Sequence, residues 1–145
     1  MGTVRAKKHL GQHFLNDKNA AQRIADALDT SLGFTQVLEV GPGMGVLSDF
    51  LLQKEDYETF LIDVDDESIE YLDDKYPQLG DRLIHGDFLQ LDFSKYFGEK
   101  MAVIGNYPYN ISSQILFKIL EERDRVVQMA GMFQKEVAER CVAKP

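Results

Sequence analysis

Three polar side chains, each placed directly after a short apolar segment, could hold a nucleoside-like ligand: Asp63, Asp87 and Asn106. A carboxylate at the end of a strand can accept hydrogen bonds from both hydroxyls of a ribose, and we expect this role for Asp63. Asp87 precedes Phe88, and this pair could bind an adenine amine and stack on its ring. Taken alone, however, Asp87 is better explained as a turn residue.

A glycine-rich loop at residues 41–45 follows an apolar segment and precedes a helical pattern. Its G-x-G-x-G spacing differs from the G-x-G-x-x-G spacing with which dinucleotide folds bring a pyrophosphate to a helix N-terminus. Such a loop suits a ligand without phosphates, although a structural tight turn explains the loop alone equally well. Combined with Asp63, the loop favours an S-adenosyl ligand over NAD. We expect Gly43 and Val64 to contact that ligand.

The tetrapeptide Asn106-Tyr107-Pro108-Tyr109 carries a different kind of chemistry. The amide oxygen of Asn106 and the carbonyl oxygen of Pro108 are two acceptors that could grip both hydrogens of an aromatic amine. Tyr109 offers a ring on which an unpaired base can stack, an interaction worth about 1–3 kcal/mol. A turn before the next helix, with Asn110 as its N-cap, explains Pro108 but leaves the two tyrosines beside Asn106 unexplained.

Alternating helical and strand patterns predict the elements that must position these residues. Strands are predicted at residues 36–40, 58–62, 82–85, 101–105 and 126–133. One helix is predicted to begin at a cap formed by Asn16 or Asp17, and a second directly after the glycine loop. Further helices are predicted at residues 65–75, 111–120 and 134–142. This alternation predicts parallel strands joined by right-handed crossovers. The strands are nearly continuous apolar runs, which fits a sheet covered on both faces. The chain is therefore predicted to form a doubly wound, mostly parallel α/β sheet.

Length and composition exclude several classes of protein. The 145 residues suit one domain, and 44% hydrophobic residues exclude a disordered chain. One cysteine, Cys141, cannot form an internal disulfide, which indicates a reducing, cytoplasmic location. No secretory signal or membrane-spanning run is present in the sequence, and no metal-ligand motif was found.

The charge is distributed unevenly along the chain. The net charge of -8 argues against a generic nucleic-acid binder, whose electrostatic footprint is basic. Residues 1–13 nevertheless carry Arg5, Lys7, Lys8 and no acidic residue. A basic arm attached to an acidic body is either a solvated terminus or a segment that contacts phosphates. We therefore divide the chain into an arm at residues 1–16 and a ligand-binding domain at residues 17–145.

The motifs together resemble one enzyme family, the small-subunit ribosomal RNA adenine dimethyltransferases. Asn106 to Tyr109 is similar to the Asn-Pro/Leu-Pro-Tyr motif of adenine amino-methyltransferases. Supporting segments are Lys-His-Leu-Gly-Gln-His-Phe-Leu-Asn-Asp at residues 8–17, Leu-Glu-Val-Gly-Pro-Gly-Met-Gly at 38–45, and Gln-Lys-Glu-Val-Ala-Glu-Arg at 134–140. The resemblance runs over residues 4–145 in the family's order. It implies a Rossmann-like methyltransferase fold with S-adenosylmethionine as cofactor.

The resemblance also implies roles for individual residues. His13 and Leu15 would close over the cofactor, and Gly41 would lie under it. Asn106, Pro108 and Tyr109 would be catalytic, with Asn106 also near the cofactor. The implied reaction adds two methyl groups to each of two adjacent adenosines near the 3′ end of 16S rRNA, within an immature small subunit and without a metal or membrane. Oligomeric state is left open, with a monomer expected.

Two alternatives and several departures from the family accompany this interpretation. The alternatives are a resistance-type enzyme acting on large-subunit rRNA, and a cofactor-binding fragment or assembly factor without turnover. Position 107 is more often a branched aliphatic residue in the family, and Gln114 stands where proline is common. Family members also continue with further strands and a small helical domain. We therefore expect the chain to be a fragment, cut after the fifth strand, whose RNA-facing basic surface lies partly outside it.

Overall fold

A computed structural model describes residues 18–107 and 112–133 of the chain. Its strands are β1 Gln36–Val40, β2 Glu58–Asp63, β3 Leu83–His85, β4 Met101–Tyr107 and β5 Val126–Phe133. Its α-helices are α1 Lys18–Asp26, α2 Val46–Leu51, α3 Asp66–Lys75 and α4 Ser112–Glu121. Short 3-10 turns at Thr30–Leu32, Pro77–Arg82, Phe88–Gln90 and Phe93–Lys95 complete the described elements.

The five strands form one parallel sheet in the order β3-β2-β1-β4-β5. The chain builds outward from β1 to β3, then returns to the other side of β1 to place β4. The strand order therefore reverses between β1 and β4. In open α/β sheets, ligands bind in the crevice outside the carboxyl ends of the strands at this reversal.

Helices cover both faces of the sheet, as a fully buried parallel sheet requires. On one face, α1 and α2 pack on β1 and β4, and α3 packs on β2. On the other face, α4 packs with the aromatic side chains of residues 88–97. The predicted doubly wound α/β architecture is confirmed.

Most predicted element bounds agree closely with the structure. The predictions for β1 and β5 match both ends. Three strand bounds were wrong: β2 continues to Asp63, β3 begins at Leu83, and β4 continues through Tyr107. The predicted helix at residues 134–142 and the helix caps at Asn16 or Asp17 lie outside the described residues.

Candidate active site

The register of the sheet brings the predicted site residues into one row. Val40 pairs with Ile62 on one side and with Gly105 on the other. The next position along each strand puts Asp63, Gly41 and Asn106 side by side at the carboxyl edge. Neighbouring strands lie about 4.8 Å apart, so this row spans about 10 Å. Because paired positions of parallel strands share a face, Asp63 and Asn106 point toward the side covered by α1, α2 and α3.

The glycine loop needs glycine at every second position. Gly41, Gly43 and Gly45 have φ of 68°, 60° and 87°, a region that other residues rarely adopt. At Gly41 a Cβ would meet none of the described residues within 4 Å, so within the described part of the chain the strand end is open. The G-x-G-x-G spacing therefore follows from the backbone conformation, and it leaves an open surface beside the row.

The loop is fixed by groups from the neighbouring strand and from α3. Gly43 N donates to Asp63 Oδ2 over 3.4 Å. Lys75 Nζ donates to Met44 O over 3.1 Å, and the hydroxyl of Tyr76 donates to Gly45 O over the same distance. The Tyr76 hydroxyl also contacts Asp49 Oδ1 in α2. Nothing in the sequence pattern predicted that the end of α3 holds this loop.

Replacing Gly45 by alanine is expected to destabilise the chain more than the same change at Gly33. Both glycines have the left-handed backbone conformation, with φ of 87° and 90°, so each alanine should cost roughly 1–2 kcal/mol from the backbone alone. A Cβ at Gly45 would also lie 2.8 Å from the Tyr76 hydroxyl, whereas at Gly33 it would make an ordinary contact of 3.5 Å with Lys100 Nζ. Urea unfolding of both variants checks this, and equal losses of stability would contradict the proposed contact with Tyr76.

Asp63 is built into the site rather than left on its surface. Asp63 is buried, with only 4% of its surface exposed. Asp63 Oδ1 accepts from Asp65 N over 3.0 Å, in addition to the contact of Oδ2 with Gly43 N. Asp65, not Asp63, caps α3 by accepting from Ser68 N. Asp63 therefore both shapes the glycine loop and presents a carboxylate at the open edge.

Asp87, Phe88 and Val64, the residues expected near the adenine of the ligand, differ in their environments. Asp87 Oδ1 accepts from Leu89 N over 2.9 Å and caps the turn Phe88–Gln90, so its turn role is confirmed. The ring of Phe88 is only 4% exposed and meets Phe93 edge-on at 5.7 Å. Val64 is 63% exposed and offers the more open apolar surface at this edge. Ligand contacts of all three residues stay predictions.

Asn106 lies inside β4 and not after it. The strand prediction ended at residue 105, because the following Asn-Tyr-Pro read as a turn. In the structure Asn106 pairs with Met132 of β5 and is 8% exposed. An amide held in a sheet has less freedom than one in a loop, which suits a positioning role for Asn106.

Glu39 is a site residue that the sequence analysis missed. It is 1% exposed, and its Oε1 accepts from the Ser48 hydroxyl in α2. Its Oε2 has no hydrogen-bond partner within the described part of the chain. Burial, followed by the nearby charges of Asp63 and Asp49, raises the pKa of Glu39 to about 8 against the lowering effect of Ser48. An acid within the apolar strand 36–40 was the available signal.

Four predicted site residues cannot be located. His13, Leu15, Pro108 and Tyr109 lie outside the described residues. The remaining candidates are Gly41, Gly43, Asp63, Val64, Asp87, Phe88 and Asn106, and the structure brings them to one edge of the sheet across β1 to β4. Such a row, with an open glycine loop at the point of strand reversal, can bind an elongated ligand.

A family model described as Ribosomal RNA adenine dimethylase matches residues 3–145. The chain belongs to this family. A relative from Cytophaga hutchinsonii, named "Ribosomal RNA small subunit methyltransferase A", is 56% identical over 144 residues, which cover 99% of this chain and 56% of the relative. The chain spans about half the length of the curated relatives it matches.

Solved structures agree with the family and the fold. A structure described as the 23S rRNA methyltransferase ErmE has a TM-score of 0.66 at 27% identity and covers 87% of this chain and 50% of that one. A structure described as a dimethyladenosine transferase from Plasmodium falciparum has a TM-score of 0.61 at 30% identity. The match covers 90% of the present chain and 44% of the Plasmodium falciparum protein. The sheet is thus the Rossmann-like sheet of S-adenosylmethionine-dependent methyltransferases.

The described residues contain neither a membrane-spanning helix nor a metal-binding cluster. No described helix is long and apolar enough to cross a membrane. Within residues 18–107 and 112–133, no group of three or more His, Cys, Asp or Glu side chains is arranged to hold a metal ion.

Proposed function

We propose that the protein containing this chain transfers methyl groups from S-adenosylmethionine to the exocyclic amines of two adjacent adenosines near the 3′ end of 16S rRNA. The observation that carries the proposal is the row of Asp63, Gly41 and Asn106 across β2, β1 and β4. In this row, the Asp63 carboxylate could bind a ribose and the Asn106 amide could bind a target amine. Both side chains lie at the point where the strand order reverses.

The described residues fit S-adenosylmethionine. Gly41 leaves open space where a side chain would stand, and Asp63 presents carboxylate oxygens next to it. Glu39 Oε2 is a buried polar atom without a partner in the described residues, and such an atom is costly until a polar group satisfies it. Ribose hydroxyls would bind Asp63, and adenine would lie between Val64 and the Asp87 carboxylate, whose Oδ2 is not used in the cap.

When bound, S-adenosylmethionine supplies a methyl group on a positively charged sulfur, already activated for transfer. The protein's own contribution is then mainly alignment. The Asn106 amide oxygen and the Pro108 carbonyl oxygen would accept hydrogen bonds from the two hydrogens of the target amine. This grip favours a pyramidal nitrogen whose lone pair is released from the ring, while Tyr109 stacks on the base. No general base is required, because the nitrogen proton becomes acidic once the amine carries an additional methyl group.

Small-subunit rRNA is favoured over large-subunit rRNA as the substrate. The relative at 56% identity is named for the small subunit, whereas the 23S rRNA methyltransferase is 27% identical. A cofactor-binding fragment without turnover is the third candidate. The complete Asn106, Pro108 and Tyr109 set argues against lost chemistry in the parent protein.

Several finer assignments belong to the same proposal. We assign residues 1–16 to a basic arm in which His13 and Leu15 cover the cofactor, and residues 17–145 to the cofactor-binding domain. The partner would be rRNA within the immature small subunit, in the cytoplasm. We propose a monomer without a bound metal.

Methyl transfer to isolated ribosomal particles tests the function. The full-length protein would be incubated with labelled S-adenosylmethionine and immature small or large subunits, and modified bases would be mapped. We expect label on two adjacent adenosines of 16S rRNA. Label on large-subunit rRNA supports the resistance-type enzyme instead. Cofactor binding without transfer to either particle supports the fragment or assembly factor.

Replacing Asp63 by asparagine is expected to weaken S-adenosylmethionine binding by about 10-fold or more, because hydrogen bonds to a charged acceptor contribute roughly 1.5–3 kcal/mol. The exposed Asp73 on α3 provides the matched control, since Asp73→Asn makes the same chemical change away from the row. Calorimetric titration measures both affinities. Equal affinities for the two variants would remove Asp63 from the ribose site.

A further inference from the structure

The ring of Tyr107 lies in a slot made by two glycines on paired strands. Gly105 of β4 pairs with Gly131 of β5, and Tyr107 follows two residues after Gly105. A Cβ on Gly105 would lie 3.2 Å from Tyr107 Cε1, and a Cβ on Gly131 would lie 2.7 Å from Cε2. Backbone atoms lie closer still to these two positions: Val40 O is 2.7 Å from the first, and Gly105 O is the nearest atom to the second. The close approach of the strands therefore requires glycine at both positions, and the Tyr107 ring packs over the two glycines.

A hydrogen bond ties the far end of the same ring to β5. The Tyr107 hydroxyl donates to Ala130 O over 2.9 Å. Tyr107 is 0% exposed, so this bond lies away from competing water. The phenol thus bridges two strands, whereas a branched aliphatic residue at position 107 would fill space without this bond.

The bridge lies at the carboxyl end of the regular pairing of β4 with β5. The register between these strands shifts at Met101 and Ala102, at the opposite end of β4. Beyond that irregularity, the paired segment runs to Tyr107 and Phe133. Asn106 lies between Gly105 and Tyr107, the residues that form the slot and fill it. Its backbone is therefore held from both sides.

We infer that Tyr107 is a positioning residue, which acts through the Gly105–Gly131 slot and Ala130 to fix the direction of the Asn106 side chain. The catalytic consequence rests on the proposed function. Fixing Asn106 would set how the target amine is presented for the first and second methyl groups. Tyr107 itself lies in the core cluster on the opposite face of the sheet, so it would act on the reacting groups through Asn106.

Tyr107→Phe tests the inference because it removes only the hydroxyl. Tyr57→Phe is the matched control, since the buried Tyr57 hydroxyl has no hydrogen-bond partner among the described residues. NMR spectra of the isotope-labelled 145-residue chain report the side-chain amide resonances of Asn106. These resonances are expected to shift or broaden in Tyr107→Phe and to stay unchanged in Tyr57→Phe. Unchanged Asn106 resonances in Tyr107→Phe would overturn the inference.

Ring dynamics of the unmodified chain give a second test that needs no variant. A ring held in a tight slot and bonded at its hydroxyl should flip slowly, giving separate signals for its two edges. Fast averaging of the Tyr107 ring signals would contradict the slot.

Turnover by the full-length protein separates the inference from the proposed function. We expect Tyr107→Phe to lower kcat at least about threefold, with KM for the particle within about twofold, and to raise the ratio of monomethylated to dimethylated adenosine. An active protein with an unchanged kcat and product ratio would contradict positioning by Tyr107. Absence of transfer by the unmodified protein would count against the proposed function, while the Asn106 resonances still decide the role of Tyr107.

Discussion

Asn106→Ala is expected to lower methyl transfer by at least about 100-fold, the scale seen when a positioned hydrogen-bonding group is removed from an active site. The physical reason is the place of Asn106 in the row, where β4 holds its amide beside the glycine loop. In the proposed mechanism, the target amine would lose one of its two acceptors without the amide oxygen. Its nitrogen lone pair would then stay delocalised in the adenine ring. Single-turnover transfer to immature small subunits by the full-length protein measures the effect.

Cofactor affinity should separate this loss from general damage to the fold. The Asn106→Ala variant is expected to bind S-adenosylmethionine within about threefold of the unmodified protein, since Asp63 and the glycine loop are unchanged. Asn19→Ala on the surface of α1 is the matched control and should retain full transfer. Transfer by Asn106→Ala at the unmodified rate would refute the catalytic assignment.

Glu39→Gln is expected to remove a large part of the pH dependence of stability. The pKa of Glu39 is raised from 4.5 to about 8, chiefly by burial. The folded chain therefore holds a proton on Glu39 that the unfolded chain releases above pH 4.5. Stability from this group is complete below pH 4.5, falls as the pH rises, and levels off above pH 8. At about 1.4 kcal/mol per pKa unit, the loss has an upper bound of about 5 kcal/mol.

Glutamine imitates the protonated carboxyl group without titrating. Its oxygen can still accept from Ser48, so the contact between β1 and α2 is retained. Urea unfolding between pH 5 and pH 8 should show that the free energy of unfolding falls less for Glu39→Gln than for the unmodified chain. Glu70→Gln, on the exposed surface of α3, should follow the unmodified chain. Parallel curves for all three proteins would show that Glu39 is ionised in the folded state.

Two strands of the sheet were predictable in full because their apolar composition leaves few alternatives. β1 and β5 are short apolar segments, and both were predicted with the bounds that the structure shows. The end of β4 was not predictable in the same way. Local sequence at Asn-Tyr-Pro favours a turn, but pairing with β5 extends the strand to Tyr107. Tertiary pairing outweighs local preference where a neighbouring strand is available.

The side chains of the site likewise divide into features that the sequence predicts and features that only strand pairing decides. Asp63 and Asn106 were identified from residue type and position. Their registration beside Gly41, and the two backbone hydrogen bonds that Asp63 accepts, depend on strand pairing. Glu39 was overlooked because the acid within the apolar strand signals an unusual position, but its partner Ser48 in α2 is known only from the packing.

The sequence by itself determined the family and the doubly wound α/β class, and it supplied the residues that we propose bind and position an adenine nucleoside. These follow from local patterns, since periodicity and motif spacing are properties of neighbouring residues. Only the tertiary structure decided which groups hold the glycine loop, that Tyr107 fills a slot between two glycines, and that Glu39 is buried with a raised pKa. Each of these depends on atoms far apart in the chain, and therefore on how the strands and helices pack.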